Sequence, residues 1–387
     1  MRQSVEPHVI SISKLLCDVS SPGDDLRYGA PQPPIVVWNC TQRCNLKCLH
    51  CYAQSQDKVY QGELTTKESK AFIQDLADFE VPVILFSGGE PTLRKDIIEL
   101  ASWAKKLGIR IVLSTNGTLI TDKLTEEIIK VGFGEVGISL DGIGAVNDHF
   151  RGQEGAFEAA LQGFRRLIAL KQRVSLRLTI TRHNYREIPA IFDLVEREGI
   201  DRICFYHLAY AGRGSNMQAE DISPQETRAV LDLIFDRTVD LHQRGLDKDI
   251  LTVDNHSDGV YLYLKVKREN PPGASKVMEL LRRNGGNNSG IRIAAVDNMG
   301  YVHPDQFWWH YSLGNVRQRK FGDIWSDTSE PLLQGLRNRK PRLKGRCGRC
   351  QYLDLCNGNL RVRAEAVYGD IWADDPACYL TDEEIGL

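Results

Sequence analysis

From about residue 35 to residue 245, short β-branched runs alternate with stretches whose apolar residues recur every three or four positions. The runs at 35–39, 83–87, 110–114, 136–140, 174–180 and 202–208 read as strands, because brief apolar segments bounded by turn residues suit buried strands. The helical spacing between them predicts helices at 65–79, 95–107, 121–131, 156–170 and 185–198, with another at 224–243. Thr65, followed three residues later by Glu68, fits a capping box at one helix start. Strands alternating with helices argue for parallel strands joined by crossovers. Six such units are too few to close an eight-stranded barrel. The expected fold is therefore α/β, a partial (β/α)6 TIM-like barrel with its site at the C-terminal strand ends.

After about residue 245 the pattern changes. Residues 284–290 form a turn-rich loop, and 291–296 with 299–302 read as a hairpin, so a smaller second domain is expected there. The expected division is an N-terminal extension at 1–34, a barrel at 35–245 and a C-terminal domain at 246–387, with 30–34 a stiff, proline-containing lead-in.

Charge and composition narrow the classes. With 49 basic and 51 acidic residues the net charge is -2, which leaves no electrostatic footprint for general nucleic-acid binding. No apolar run approaches the roughly 18 residues of a membrane span, so no membrane partner is expected. Glu6, Lys14 and Asp18 interrupt the N-terminus where a signal peptide would be apolar, and a cytoplasmic location is expected.

In that compartment thiols stay reduced, so ten cysteines point to metal or redox chemistry rather than disulfides. Cys44, Cys48 and Cys51 stand as C-x3-C-x2-C directly after the first expected strand. Three thiolates on one loop can hold three irons of a 4Fe-4S cube and leave the fourth open to a non-protein ligand. A zinc site completed by His50 or Cys40 is the alternative, disfavoured because zinc sites generally use paired C-x2-C elements.

This triplet, followed by the aromatic Tyr52, resembles the signature of the radical S-adenosylmethionine (SAM) superfamily. Further motifs fall at strand ends over residues 35–210. Gly88, Gly89 and Glu90 resemble the family's GGE motif, which implies contacts to the methionine amino group of SAM. Ser114 with Asn116, and Ser139 with Asp141, resemble its ribose and methionine contacts, although Asn-Gly and Asp-Gly pairs are also ordinary turn chemistry. Arg151 would suit the SAM carboxylate. The resemblance implies that the reduced cluster and SAM together generate a 5'-deoxyadenosyl radical, which abstracts hydrogen from an unactivated carbon.

Cys347, Cys350, Cys356 and Cys378 supply four more thiolates, enough for a second 4Fe-4S cluster, with zinc again the alternative. The C-x2-C-x5-C element resembles the SPASM/twitch-like auxiliary-cluster domain. That domain usually carries two clusters, but Leu360 and Asp305 stand where two of its cysteines belong. One auxiliary cluster is expected, with the space of the missing one open to substrate.

His207, His256, His303 and His310 lie in segments expected near the barrel mouth or the domain interface, the last two in an aromatic stretch that also holds Asp305. Together with Arg213 and Arg292 as carboxylate binders they suit an iron porphyrinoid, which needs an axial nitrogen and apolar walls. Segments 10–17, 25–29, 205–214, 253–256, 303–308 and 375–386 resemble the AhbC/NirJ family of tetrapyrrole-modifying radical SAM enzymes. The resemblance implies an iron tetrapyrrole substrate and an electron donor such as ferredoxin or flavodoxin. The expected reaction is removal of acetate side chains from 12,18-didecarboxysirohaem to give iron-coproporphyrin III. Alternatives are a haem d1 reaction on the propionates of the same macrocycle, modification of a ribosomal peptide, and a non-catalytic iron-sulfur protein.

Overall fold

A computed structural model describes residues 9–17 and 33–387. The 25–29 segment and most of the 30–34 lead-in lie outside the described residues, as do 1–8.

All six expected strands are present, and they are followed by more. In chain order the strands are β1 (Val9–Ser11), β2 (Ile35–Thr41), β3 (Val83–Gly88), β4 (Arg110–Thr115), β5 (Glu135–Ser139), β6 (Val174–Ile180), β7 (Arg202–His207), β8 (Asp249–Val253), β9 (Ile293–Val296), β10 (Tyr301–His303) and β11 (Gly314–Asn315). They form one sheet in the order β1-β8-β7-β6-β5-β4-β3-β2-β9-β10-β11. Strands β2 to β8 pair in parallel, and β9 joins β2 in parallel at the other side. The expected hairpin is β9–β10, and it extends the barrel sheet through the β2–β9 pairing. The order is linear, so the barrel is open.

Crossover helices α1 (Thr66–Asp78), α2 (Ile97–Lys106), α3 (Asp122–Val131), α4 (Ala156–Ala169), α5 (Ile188–Glu198) and α6 (Pro224–Gln243) cover the outer face. Thr65 caps α1 with Glu68 in the expected box, and Ser223 with Glu226 repeats it at α6. Gly132 and Gly199 close α3 and α5 in the left-handed conformation that glycine adopts without strain.

Strand alternation positions the site. Trp38, Phe86, Leu113, Ile138, Leu178 and Phe205 point outward into the helix layer and form the main core. Their neighbours of opposite parity point inward, so Val37, Ser87, Ser114, Ser139, Thr179 and Tyr206 line one cavity inside the barrel. Among the described residues no helix is long and apolar enough to cross a membrane.

Candidate active site

The cysteine loop leaves β2 at the C-terminal ends of the parallel strands. It is clamped from three directions. Cys44 N donates to Gln56 O (3.1 Å), Leu49 N to Phe150 O (3.0 Å), and Arg213 N to Cys51 O (3.0 Å). Cys44, Cys48 and Cys51 all line the cavity. Burial, with help from Glu90, pushes the Cys44 thiol up to about 12, and burial raises Cys48 as well. These sulfurs need a cationic partner to ionise in place. Two donors already aim at them: Asn116 Nδ2 lies 3.8 Å from Cys44 Sγ and Arg151 Nη1 lies 3.6 Å from Cys48 Sγ. Among the described residues no three His, Cys, Asp or Glu side chains gather tightly enough to hold a single ion. Three thiols lining one cavity are the soft ligand type that iron-sulfur clusters use. Cys40 is outside this set; it is buried and donates its S–H to Ser87 O (3.3 Å).

The expected SAM residues separate into a wall and a layer behind it. Tyr52, Gly88, Gly89, Ser114, Asn116, Ser139 and Arg151 line the cavity. Glu90 and Asp141 are fully buried and do not. The Glu90 carboxylate accepts from Thr92 N (3.1 Å), Thr115 Oγ1 (2.7 Å) and Asn116 N (2.7 Å), tying the ends of β3 and β4 together. Asp141 pairs with Arg151 and accepts from Thr179 N (2.6 Å), which fixes the guanidinium on the wall. Tyr52 donates to Asn39 Oδ1 (2.9 Å) and sets its ring edge-on to Phe307 at 5.5 Å.

Of the expected substrate residues, only His207 and Arg213 line this cavity. Arg213 commits Nε to Cys48 O (2.8 Å) and Nη1 to Ser55 O (2.9 Å), so most of the guanidinium holds the cysteine loop, while buried Nη2 has no partner. The other five expected residues do not line the cavity. Arg292 precedes β9 beside Ile35, at the strand ends opposite the cavity. His303 is buried on the outer hairpin, with Nδ1 on Tyr311 O (2.7 Å) and Nε2 3.5 Å from Asp297. His310 is exposed and bonds to Glu365 (2.8 Å). His256 is buried at the start of helix Ser257–Glu269, its N–H on Asn359 Oδ1 (2.9 Å). Asp305 organises a turn, accepting from Ser289 Oγ and from Phe307 N (2.8 Å). The space expected from the missing cluster is not left open at Asp305 and Leu360, each 1% exposed. Leu360 shares an apolar cluster with Phe307 and Trp308.

Sequence reasoning missed Arg177, Thr179, Tyr206, Asp254, Gln306 and Phe307 on the wall. Inward parity from Ser87 and Ser114 would have found the first three. Asp254 had no such signal: it has a left-handed backbone (φ 66°), and burial holds its carboxyl up at about 7.

The four C-terminal cysteines meet around a second, smaller cavity. Burial raises Cys347 to about 11 and also raises Cys350 and Cys356. Cys347 N donates to Asp374 Oδ1 (2.8 Å), and Tyr352 N to Cys350 Sγ (3.4 Å).

An open parallel barrel with three thiols at its mouth and a Gly-Gly-Glu turn beside them defines a radical SAM enzyme. The radical SAM superfamily model matches residues 38–195. The chain is 56% identical to the Fe-coproporphyrin III synthase of Methanosarcina barkeri, over 98% of this chain and 99% of that one. It is 43% identical to the pre-heme d1 synthase of Dinoroseobacter shibae, over 92% and 89%. Its fold matches that of Streptococcus suis SuiB bound to S-adenosylmethionine with a TM-score of 0.70 at 18% identity, covering 90% of this chain and 78% of that one. The chain belongs to the radical SAM superfamily, in its AhbC/NirJ branch. It is an enzyme of the radical SAM haem-synthase type, a class that uses SAM and a 4Fe-4S cluster.

Proposed function

We propose that this enzyme removes the acetate side chains of 12,18-didecarboxysirohaem to give iron-coproporphyrin III. The observation that carries the reading is the identity of 56% to the M. barkeri Fe-coproporphyrin III synthase over almost the whole of both chains, against 43% to the pre-heme d1 synthase. The SuiB likeness, at 18% identity, speaks to fold and not to a peptide substrate.

In this reading Cys44, Cys48 and Cys51 hold the SAM cluster and leave one iron open. Gly88 and Gly89 carry the methionine end of SAM, Ser114, Asn116 and Ser139 its polar edge, and Arg151 its carboxylate. When bound, the reduced cluster and SAM supply hydrogen-atom abstraction from an unactivated carbon. The chain orients the macrocycle against that centre and excludes water with the apolar wall of Val37, Leu85, Leu208, Ala209 and Phe307. Cys347, Cys350, Cys356 and Cys378 hold a second 4Fe-4S cluster, and a ferredoxin or flavodoxin supplies electrons.

The test is anaerobic release of 5'-deoxyadenosine by the reconstituted enzyme with SAM and reductant. Didecarboxysirohaem is expected to stimulate release severalfold. A ribosomal peptide that stimulates it instead would refute the tetrapyrrole reading.

A further inference from the structure

His207 ends β7 with its ring on the cavity wall. Its Nε2 lies 2.9 Å from Asp258 Oδ2, and the other oxygen of that carboxylate accepts from Tyr379 Oη at 2.8 Å. The three side chains are nearly or fully buried, at 6%, 0% and 4% exposed. A carboxylate is an acceptor only, so Nε2 carries the proton and Nδ1 keeps its lone pair. Nδ1 makes no hydrogen bond to any described residue. An imidazole whose other nitrogen donates to a carboxylate is the arrangement found behind metal-bound histidines, where the carboxylate fixes the ring and raises its basicity. The setting adds a second orienting element. Tyr379 directly follows Cys378, so the segment carrying an auxiliary thiol also fixes Asp258. Leu208, Ala209 and Phe307 give the same cavity apolar wall, beside the polar groups of Gln306 and Asp254.

We infer that His207 is the protein ligand of the substrate's central iron, with Asp258 and Tyr379 as its positioning residues. The inference rests on the tetrapyrrole reading above. It differs from the assignment that the aromatic His303–His310 stretch suggests, because those two rings are bonded elsewhere and neither lines the cavity.

The test uses the cluster-loaded enzyme with two probes, ferric iron-coproporphyrin III and metal-free coproporphyrin III. Wild type is expected to bind the iron form more tightly and to give a nitrogen-ligated ferric EPR signal. His207→Ala should lose that signal and about tenfold or more of the preference for iron, and added imidazole should restore the signal in a folded protein. Asp258→Asn should keep the ligation but move the potential of the bound iron upward, since a less basic imidazole favours ferric iron less. His303→Ala should match wild type. A wild-type EPR signal and affinity in His207→Ala would overturn the ligand assignment. So would equal loss of both probes without a response to imidazole. An unchanged potential in Asp258→Asn would overturn the positioning role. Wild type binding neither probe would overturn the tetrapyrrole reading itself, and the inference with it.

Discussion

Gly89 lies against the backbone of Arg43, so close that a β-carbon would stand 2.2 Å from the Arg43 carbonyl oxygen. Glu90 N donates to that same carbonyl at 2.8 Å, and Gly89 N to Thr41 O at 2.7 Å. The Gly-Gly-Glu turn therefore fixes the residue immediately before Cys44. Gly89→Ala has to push the cysteine loop away, because the obstacle is backbone rather than a flexible side chain. Such overpacking costs about 1–3 kcal/mol. The expected result is iron falling from about eight to about four per chain, with 5'-deoxyadenosine release lost. Iron analysis and activity of the reconstituted variant check this.

Asp141 is the buried counter-charge of Arg151. Removing one partner of a buried pair leaves the other uncompensated and costs about 3–5 kcal/mol. Asp141→Asn should therefore lower stability by that order in denaturant titration. It should also weaken SAM binding, measured by calorimetry, because Arg151 loses its fixed position.

Asp254 gives the stability a pH dependence of known sign. Burial holds its carboxyl at about 7 in the folded protein, whereas an unfolded aspartate titrates near 3.9. Between those values the native state keeps a proton that the unfolded chain has released, so the contribution of Asp254 to stability falls as pH rises from about 4 to about 7. The limit is about 1.4 kcal/mol per pH unit. Asp254→Asn keeps a residue that tolerates the left-handed backbone and removes the titration. Unfolding midpoints at pH 5.5 and 7.5 should differ less in the variant than in wild type.

The two thiol sets should be separable. Replacing Cys347, Cys350 and Cys356 together by alanine should leave about four irons and preserve SAM cleavage in the absence of substrate. Replacing Cys44, Cys48 and Cys51 should also leave about four irons but abolish cleavage. Cys40→Ala should keep the full iron content, since that thiol bonds to Ser87 O. Iron content, absorption spectra and 5'-deoxyadenosine release discriminate all three.

The elements legible in the sequence were those whose signals are local. The cysteine triplet, the Gly-Gly pair and the six strands each follow from spacing within a few residues. Three strands were missed because their warrant is distant: β1 is three residues long, β8 five and β11 two, and each is defined by the strand it joins. Glu90 and Asp141 were legible as important but not as a supporting layer, since that depends on donors from Thr115, Asn116 and Thr179 on neighbouring strands. The histidines were hardest. His303 and His310 suggest ligands because they sit among aromatics, yet neither lines the cavity and their rings bond to Tyr311 O and Glu365. His207 was one of four equals until Asp258, 51 residues away in the chain, was seen behind it.

The most direct measurement is the mass of the pigment after anaerobic incubation of the enzyme with SAM, a low-potential reductant and 12,18-didecarboxysirohaem. The account predicts loss of the two remaining acetate groups and appearance of iron-coproporphyrin III, with 5'-deoxyadenosine formed alongside it. A product that keeps its acetates and has lost propionate carbons, or pigment of unchanged mass in an enzyme that cleaves SAM, would contradict it.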